Sequence, residues 1–443
     1  MAAHVGSIPN FAVDGLNHSL NDLPMIAFAP PRIDDRTIQA VTEALKSGWI
    51  TTGPRTKAFE KHLAEYCGVE KVIAPNSWTN ACELALRWFG VGPGDEVIVP
   101  AYTYCATANI VMHVGAKPVM VDVLDDFTID PAAVRAAVNP RTKCIIPVDI
   151  GGMPARIAEL MKIADDLCAY FTPKVNLRVA GSNPQMKLGR ILVLSDAAHS
   201  FGASINGRKL GTQADITGFS FHAVKNLTTA EGGALAFNLP APFDPQELYK
   251  WFNTMSLHGQ SKDALAKTGP GAWRYDVEAA GWKCNMTDIQ AAIGQVELDR
   301  YDSETLPRRK ALCERYQSAF NKDDRFIVPL LHDADRESSH HLFMLRVKEA
   351  SEEQRDAVIA AIAKREVSVN VHFIPMPLLS LYKGLGYRME DYPNTYRQYS
   401  REISLPVYYD LTDTQVDEVV GAVKSAVAAV SYTHPTLSTS DLV

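Results

Sequence analysis

The sequence predicts an α/β protein, with a large domain built on a mainly parallel, seven-stranded sheet and a smaller C-terminal α+β domain. Three observations carry this reading. Seven short apolar runs of strand length fall between residues 72 and 237, with helical patterns between most of the early ones. That alternation marks βαβ units, whose strands are covered on both faces and so read as continuous apolar runs. From about residue 298 the pattern changes to long helical stretches with few strands. Finally, 443 residues exceed what one small core accommodates and suit a large domain with a smaller companion.

In chain order, residues 1–23 lack clear periodicity and read as an N-terminal arm. Helices are expected over 34–47 and 56–67, with the turn-rich Thr51-Thr52-Gly53-Pro54 between them. The seven strands are expected at 72–74, 96–99, 118–123, 144–148, 191–195, 216–221 and 234–237. A further helix is expected at 82–89. Residues 170–188 carry prolines, Gly181 and little periodicity, so they read as a surface insertion with no assigned role. The large domain spans 24–297 around that insertion. The small domain, 298–430, offers helices at 306–321, 351–365 and 413–430 and strands at 342–347 and 367–373. Residues 431–443 are polar and aperiodic; they are assigned no role, and native tail and non-native read-through both stand as readings.

Apolar residues make up 47% of the chain and charged residues 21%, ordinary values for a soluble globular protein. The net charge of −7 argues against nucleic acid or an anionic membrane as a partner. No apolar run is long enough to span a bilayer, and the N-terminus lacks a signal pattern, so a cytoplasmic location is expected. The seven cysteines are scattered without a CxxC pair, which indicates neither a metal site nor a disulfide framework and fits a reducing compartment.

Chemistry concentrates in segments at the ends of expected strands, where open parallel sheets bind ligands. Ser220-Phe221-His222-Ala223-Val224-Lys225-Asn226-Leu227 closes with Glu231-Gly232-Gly233 and places a lysine in a short loop just past a strand. Such a lysine forms an imine with an aldehyde once burial or its neighbours lower its pKa, although an isolated loop lysine is usually a plain surface residue. Residues 191–195 lead into Asp196-Ala197-Ala198-His199, a carboxylate at a strand end with a histidine three residues on. Alone, that aspartate reads as a helix N-cap. Asn76-Ser77-Trp78-Thr79-Asn80-Ala81 offers hydroxyls and N–H groups at a helix start, a phosphate cradle or an ordinary cap. Pro100-Ala101-Tyr102-Thr103-Tyr104 offers an aromatic that could stack on a cofactor ring or simply fill the core.

Together these segments resemble the DegT/StrS-type nucleotide-sugar aminotransferases, which have the aspartate-aminotransferase-like, type I pyridoxal-phosphate (PLP) fold. The resemblance runs from about residue 24 to 430. Gly48-Trp49-Ile50-Thr51-Thr52-Gly53-Pro54 and Gly92-Pro93-Gly94-Asp95-Glu96-Val97-Ile98-Val99-Pro100 are typical of that family. The Ser-Phe-His-x-x-Lys segment is highly specific, as is the stretch from Gly281-Trp282-Lys283-Cys284-Asn285-Met286-Thr287-Asp288 to Gly294, which resembles the family's dimer-crossing segment.

The resemblance implies PLP as cofactor and a role for each matching residue. Lys225 would hold PLP and shuttle the proton, Asp196 would pair with the pyridine nitrogen, and His199 would lie by the ring hydroxyl. Ser220, Trp78 and Thr79 would hold the phosphate, with Asn285 of a second subunit helping, and Tyr104 would stack on the ring. This implies a homodimer with shared sites. Lys225 argues against the family's dehydratase branch, where a histidine replaces it. Two departures stand out: Trp78 occupies a position where many members have a small residue, and Lys283 one where many have asparagine. The implied reaction moves an amino group from an amino acid, glutamate being expected, to a nucleotide-linked keto-deoxysugar for a lipopolysaccharide, another surface glycan or a glycosylated metabolite. A non-nucleotide cyclic ketone such as an inosose is the alternative substrate. A PLP-binding regulator without turnover is the alternative class, disfavoured by the intact Lys225, Asp196 and His199.

Overall fold

The computed structural model describes residues 25–175, 177, 179, 182–263 and 273–433; the expected arm and the tail beyond 433 lie outside these described residues. A seven-stranded sheet organises the larger part of the chain, as the sequence predicts. Its strands are β1 (Val72–Ile73), β2 (Glu96–Pro100), β3 (Lys117–Val121), β4 (Thr142–Ile145), β5 (Leu192–Asp196), β6 (Ile216–Ser220) and β7 (Gly233–Phe237). Their spatial order is β1-β7-β6-β5-β4-β2-β3. Pairings are parallel from β6 through β5, β4 and β2 to β3, and β7 runs antiparallel between β1 and β6. Strands β2, β4, β5 and β7 are buried at every position, which explains the unalternating apolar runs in β2, β5 and β7.

The adjacent parallel strands β5 and β6 end in Asp196 and Ser220, so one edge of the sheet presents both residues to the same space. Helices α1 (Asp35–Lys46) and α2 (Pro54–Cys67) precede the sheet, and α3 (Trp78–Trp88) follows β1. Helix α3 starts four residues before the expected 82–89, because Ser77 caps it by accepting from the Asn80 N–H at 3.1 Å. The hydroxyl-rich approach to the helix is therefore its first turn.

A second core gathers α4 (Leu306–Phe320), α5 (Glu352–Ala363) and α6 (Asp413–Thr433) on a three-stranded antiparallel sheet. Those strands are β8 (Phe326–Ile327), β9 (Phe343–Val347) and β10 (Glu402–Leu405), ordered β8-β9-β10. The expected strand at 367–373 does not form. Only single bridges, Val367 to Ile26 and Asn370 to Ser404, are made there. The His372 N–H donates to the Glu402 carboxylate at 3.0 Å instead of to a strand carbonyl, so the ladder stops. Core membership also departs from chain order: Ile26 packs in the second core, while Met376, Tyr382 and Met389 pack in the first.

The stretch read as an insertion lies on the larger core and is tied down. Lys174 pairs with Asp95 at 2.6 Å, and the Gln185 amide donates to the Phe89 carbonyl at 2.8 Å. Among the described residues no helix is long and apolar enough to cross a membrane.

Candidate active site

A cavity of about 470 Å³ opens where β5 and β6 end, between the two cores. Lys225, Asp196, His199, Ser220, Trp78, Thr79 and Tyr104, all singled out in the sequence, line it. Asn285 does not. It sits beside β1, paired with Pro75, and its amide donates to Thr52 Oγ1 at 2.5 Å while Lys283 Nζ donates to its Oδ1.

Asp196 is buried at the end of β5. Its Oδ2 accepts from Thr107 Oγ1 at 2.9 Å and its Oδ1 from the Ala198 N–H at 3.2 Å. Burial pushes its carboxyl up to about 7, against the opposing pull of those hydrogen bonds and of Lys225. No helix follows, since residues 197–203 form turns, so the cap reading of this aspartate fails. A buried acid poised this way is held ready for a cationic partner.

Lys225 projects from the loop after β6, which turns through a 2.9 Å bond from its own N–H to the His222 carbonyl. The protein packed around its side chain lowers the ammonium to about 8, with Asp196 pulling the other way. A lysine near 8 supplies a usable fraction of neutral, nucleophilic amine near neutral pH.

Burial, then Lys225, hold the His199 ring well below the usual histidine range, so it is neutral. Its Nδ1 accepts from the Gly151 N–H at 3.2 Å, which leaves the proton on Nε2. The His341 ring lies 4.3 Å from that of His199, centroid to centroid. The Asn226 amide nitrogen donates to the Ser339 carbonyl at 2.9 Å and to Tyr301 Oη at 3.2 Å, so its Oδ1 accepts from His341 Nδ1 at 2.7 Å. His341 therefore carries its proton on Nδ1 and keeps Nε2 as an acceptor, the tautomer opposite to that of His199.

The start of α3 forms another wall. The first N–H groups of a helix have no acceptor within it, and they form a ready anion site. Gly233 is required here: a Cβ would lie 2.4 Å from Trp78 N and from the Ser77 carbonyl carbon. The Trp78 indole Nε1 is buried without a hydrogen-bond partner. Tyr104 stands at the rim, 59% exposed, its ring 5.4 Å from that of Phe373.

The sequence did not single out Thr107, Arg309, His341, His372 or Phe373, all of which line the same cavity. Thr107 carried a usable local signal, four residues after Thr103 and within 3.0 Å of its hydroxyl. The other four lie far along the chain and carried none.

The sequence profile of the DegT/DnrJ/EryC1/StrS aminotransferase family matches residues 31–171 and 187–424. The chain belongs to this family. The break in the match, 172–186, falls inside the stretch read from sequence as an insertion. The spore coat polysaccharide biosynthesis protein SpsC of Bacillus subtilis (strain 168) is 37% identical over 407 residues, covering 91% of this chain and 97% of that protein. A putative sugar aminotransferase from Streptococcus pneumoniae, solved in its PMP form, superposes with a TM-score of 0.86 at 44% identity, covering 91% of this chain and 100% of that one. Its PLP form gives 0.86 at 42%, covering 92% and 99%. Helicobacter pylori PseC, an aminotransferase involved in the biosynthesis of pseudoaminic acid, gives 0.78 at 25%, covering 91% and 100%. Family membership makes the chain an aminotransferase and bears out the expected fold class.

Proposed function

We propose that this PLP-dependent sugar aminotransferase moves the amino group of glutamate to a nucleotide-linked keto-deoxysugar, for a surface glycan or a glycosylated metabolite. The observation that carries the reading is the convergence of Lys225 and Asp196 with the start of α3 in one cavity of a family member. The cavity fits pyridoxal phosphate. A buried carboxyl near 7 suits a protonated pyridine nitrogen, and the α3 terminus with Ser220 and the unpartnered Trp78 indole suits a phosphate. Bound PLP supplies a carbonyl that captures the donor nitrogen and a ring that withdraws electrons.

The protein's own groups do the rest. Lys225 holds the cofactor in the resting enzyme and then, as a free amine, carries a proton at Nζ between cofactor and substrate carbons. Asp196, fixed by Thr107, keeps the ring nitrogen protonated. His199 Nε2–H donates toward the ring hydroxyl, and Tyr104 at the rim covers the ring face. The expected fate of both substrates balances: glutamate leaves as 2-oxoglutarate and the ketone becomes an amine. The seven unbridged cysteines fit a reducing cytoplasm.

A substrate panel tests the assignment. Glutamate-dependent amination of a nucleotide-linked 4-keto or 3-keto sugar, exceeding that of an inosose by at least about tenfold in kcat/KM, is the expected result. Preference for the inosose would replace the nucleotide-sugar reading. A protein that fails even the half-reaction with glutamate and other amino acids would be a non-catalytic binder.

We further propose a homodimer in which Asn285 serves the phosphate site of the neighbouring subunit. Its absence from the cavity of its own chain and its place beside the exposed Lys283 support this. Mixing an Asn285→Ala chain with a Lys225→Ala chain should restore activity, because one site of the mixed dimer collects both defects and the other neither. No recovery in verified mixed dimers, or a fully active monomer, would sink the proposal.

A further inference from the structure

His372 lines the cavity with Lys225, yet its ring is tied to residues outside that wall. Its Nδ1 lies 2.9 Å from Ser404 Oγ, and that hydroxyl lies 2.5 Å from Glu402 Oε1. The other oxygen, Glu402 Oε2, accepts the His372 backbone N–H at 3.0 Å. Glu402 and Ser404 are both 0% exposed, and as residues i and i+2 of β10 they share one face of the strand. Among the described residues His372 Nε2 makes no hydrogen bond. Burial, then Lys225, lower His372 to about 3, so the ring is neutral and carries one proton on one of its two nitrogens.

A hydroxyl has one hydrogen, so Ser404 donates to only one of its two neighbours at a time. With the Glu402 carboxyl protonated, its O–H donates to Ser404, Ser404 donates to Nδ1, and the ring proton sits on Nε2. With Glu402 ionised, Ser404 donates to it and accepts from Nδ1–H, which leaves Nε2 a bare acceptor. We propose that Glu402, acting through Ser404, is a positioning residue that sets which of these two faces His372 shows to substrate. Between the two states one proton leaves Nε2 for the cavity, while those of Ser404 and Glu402 each move one site toward the ring. The negative charge ends on Glu402, and no co-reactant is needed. The ionisable groups around that carboxyl are Arg355 on α5, Arg346 on β9 and Tyr102 just past β2. Those facing the His372 ring are Lys225, His199 and His341. Burial outweighs the Ser404 and His372 hydrogen bonds and both arginines, and it pushes Glu402 up to about 8. Near neutral pH the Nε2–H face therefore prevails. The oxygen of a ketone or a carboxylate can only accept, so this face holds substrate and is lost as pH rises above about 8.

The competing role is structural, with Glu402 only anchoring the His372 N–H. Glu402→Gln separates the two. The new side-chain oxygen must accept from the His372 N–H, so its amide nitrogen donates to Ser404 and locks the Nε2–H face at every pH. In the wild-type, PLP-loaded enzyme, KM should rise above about pH 8 for the amino-acid donor or the keto sugar, whichever presents an oxygen to Nε2. A rise of about three- to tenfold is expected, the range for one hydrogen bond. Glu402→Gln should keep the wild-type KM below that pH and lose the rise. Ser404→Ala should lose it too, because it cuts the chain while leaving the bond from the His372 N–H in place. That second variant decides should Glu402→Gln not fold. A rise that persists in either variant, or no rise in the wild type, would overturn the proposal. These kinetics rest on the aminotransferase reading, whereas neutron diffraction from crystals of the PLP-loaded protein does not. The deuteron of the His372 ring is expected on Nε2 well below pH 8 and on Nδ1 well above it. A deuteron on the same nitrogen in both crystals counts against the relay, whether or not the protein transfers an amino group.

Discussion

Lys225→Ala should abolish turnover, by at least about four orders of magnitude, while the variant still binds PLP without a covalent link. Two losses combine. On the proposed roles, the side chain that would fix the cofactor is gone, and so is the amine that would carry protons between reacting carbons. General acid–base catalysis by a positioned group contributes about 10²–10⁴-fold by itself. Lys225 suits both tasks because burial has already lowered its ammonium to about 8. Borohydride reduction of the wild-type enzyme should attach the cofactor to Lys225, read by peptide mass spectrometry. Attachment to another lysine would remove the assignment. The proposed phosphate contacts, at the start of α3 and at Ser220 of β6, lie outside the Lys225 loop, so the variant should retain cofactor in a spectral titration.

Asp196→Asn should lower kcat by about three orders of magnitude or more with the fold intact. An amide cannot hold a proton on the pyridine nitrogen, and the ring then withdraws electrons poorly. The cofactor-free protein provides an independent check through stability. The Asp196 carboxyl is raised from its ordinary value to about 7, so below about pH 4 it is protonated in both folded and unfolded chains. As pH rises from there through about 7, the unfolded chain ionises first, and the stability held by the protonated buried group is lost. The amide of the variant has no such titration. In denaturant melts of the cofactor-free proteins, the variant should therefore gain stability relative to wild type between about pH 5 and pH 8. A constant difference across that range would mean that Asp196 is not held protonated, and near-normal activity would mean that it does not face the ring nitrogen.

Much of this molecule was legible in the chain itself. Strands covered on both faces are mostly apolar, so the runs of β2 and β5 announced a parallel sheet without any tertiary information. Asp196, Ser220 and Lys225 were legible for a related reason: each sits at or just past the end of such a strand, and strand ends in an open α/β sheet share one edge. The 367–373 stretch misled because its apolar residues suit a strand, while the carboxylate that breaks the ladder, Glu402, lies 30 residues beyond His372.

What only the tertiary structure decided is the far wall of the cavity. Arg309, His341, His372 and Phe373 come from segments that follow the sheet, and none stands in a pattern that marks chemistry. Their meaning depends on which donor has already been used nearby, as with the Asn226 amide that sets the His341 tautomer. The local sequence specifies backbone periodicity because that periodicity repeats every few residues. A buried charge or a tautomer is specified by neighbours far away along the chain, and those neighbours are chosen only when the two cores pack.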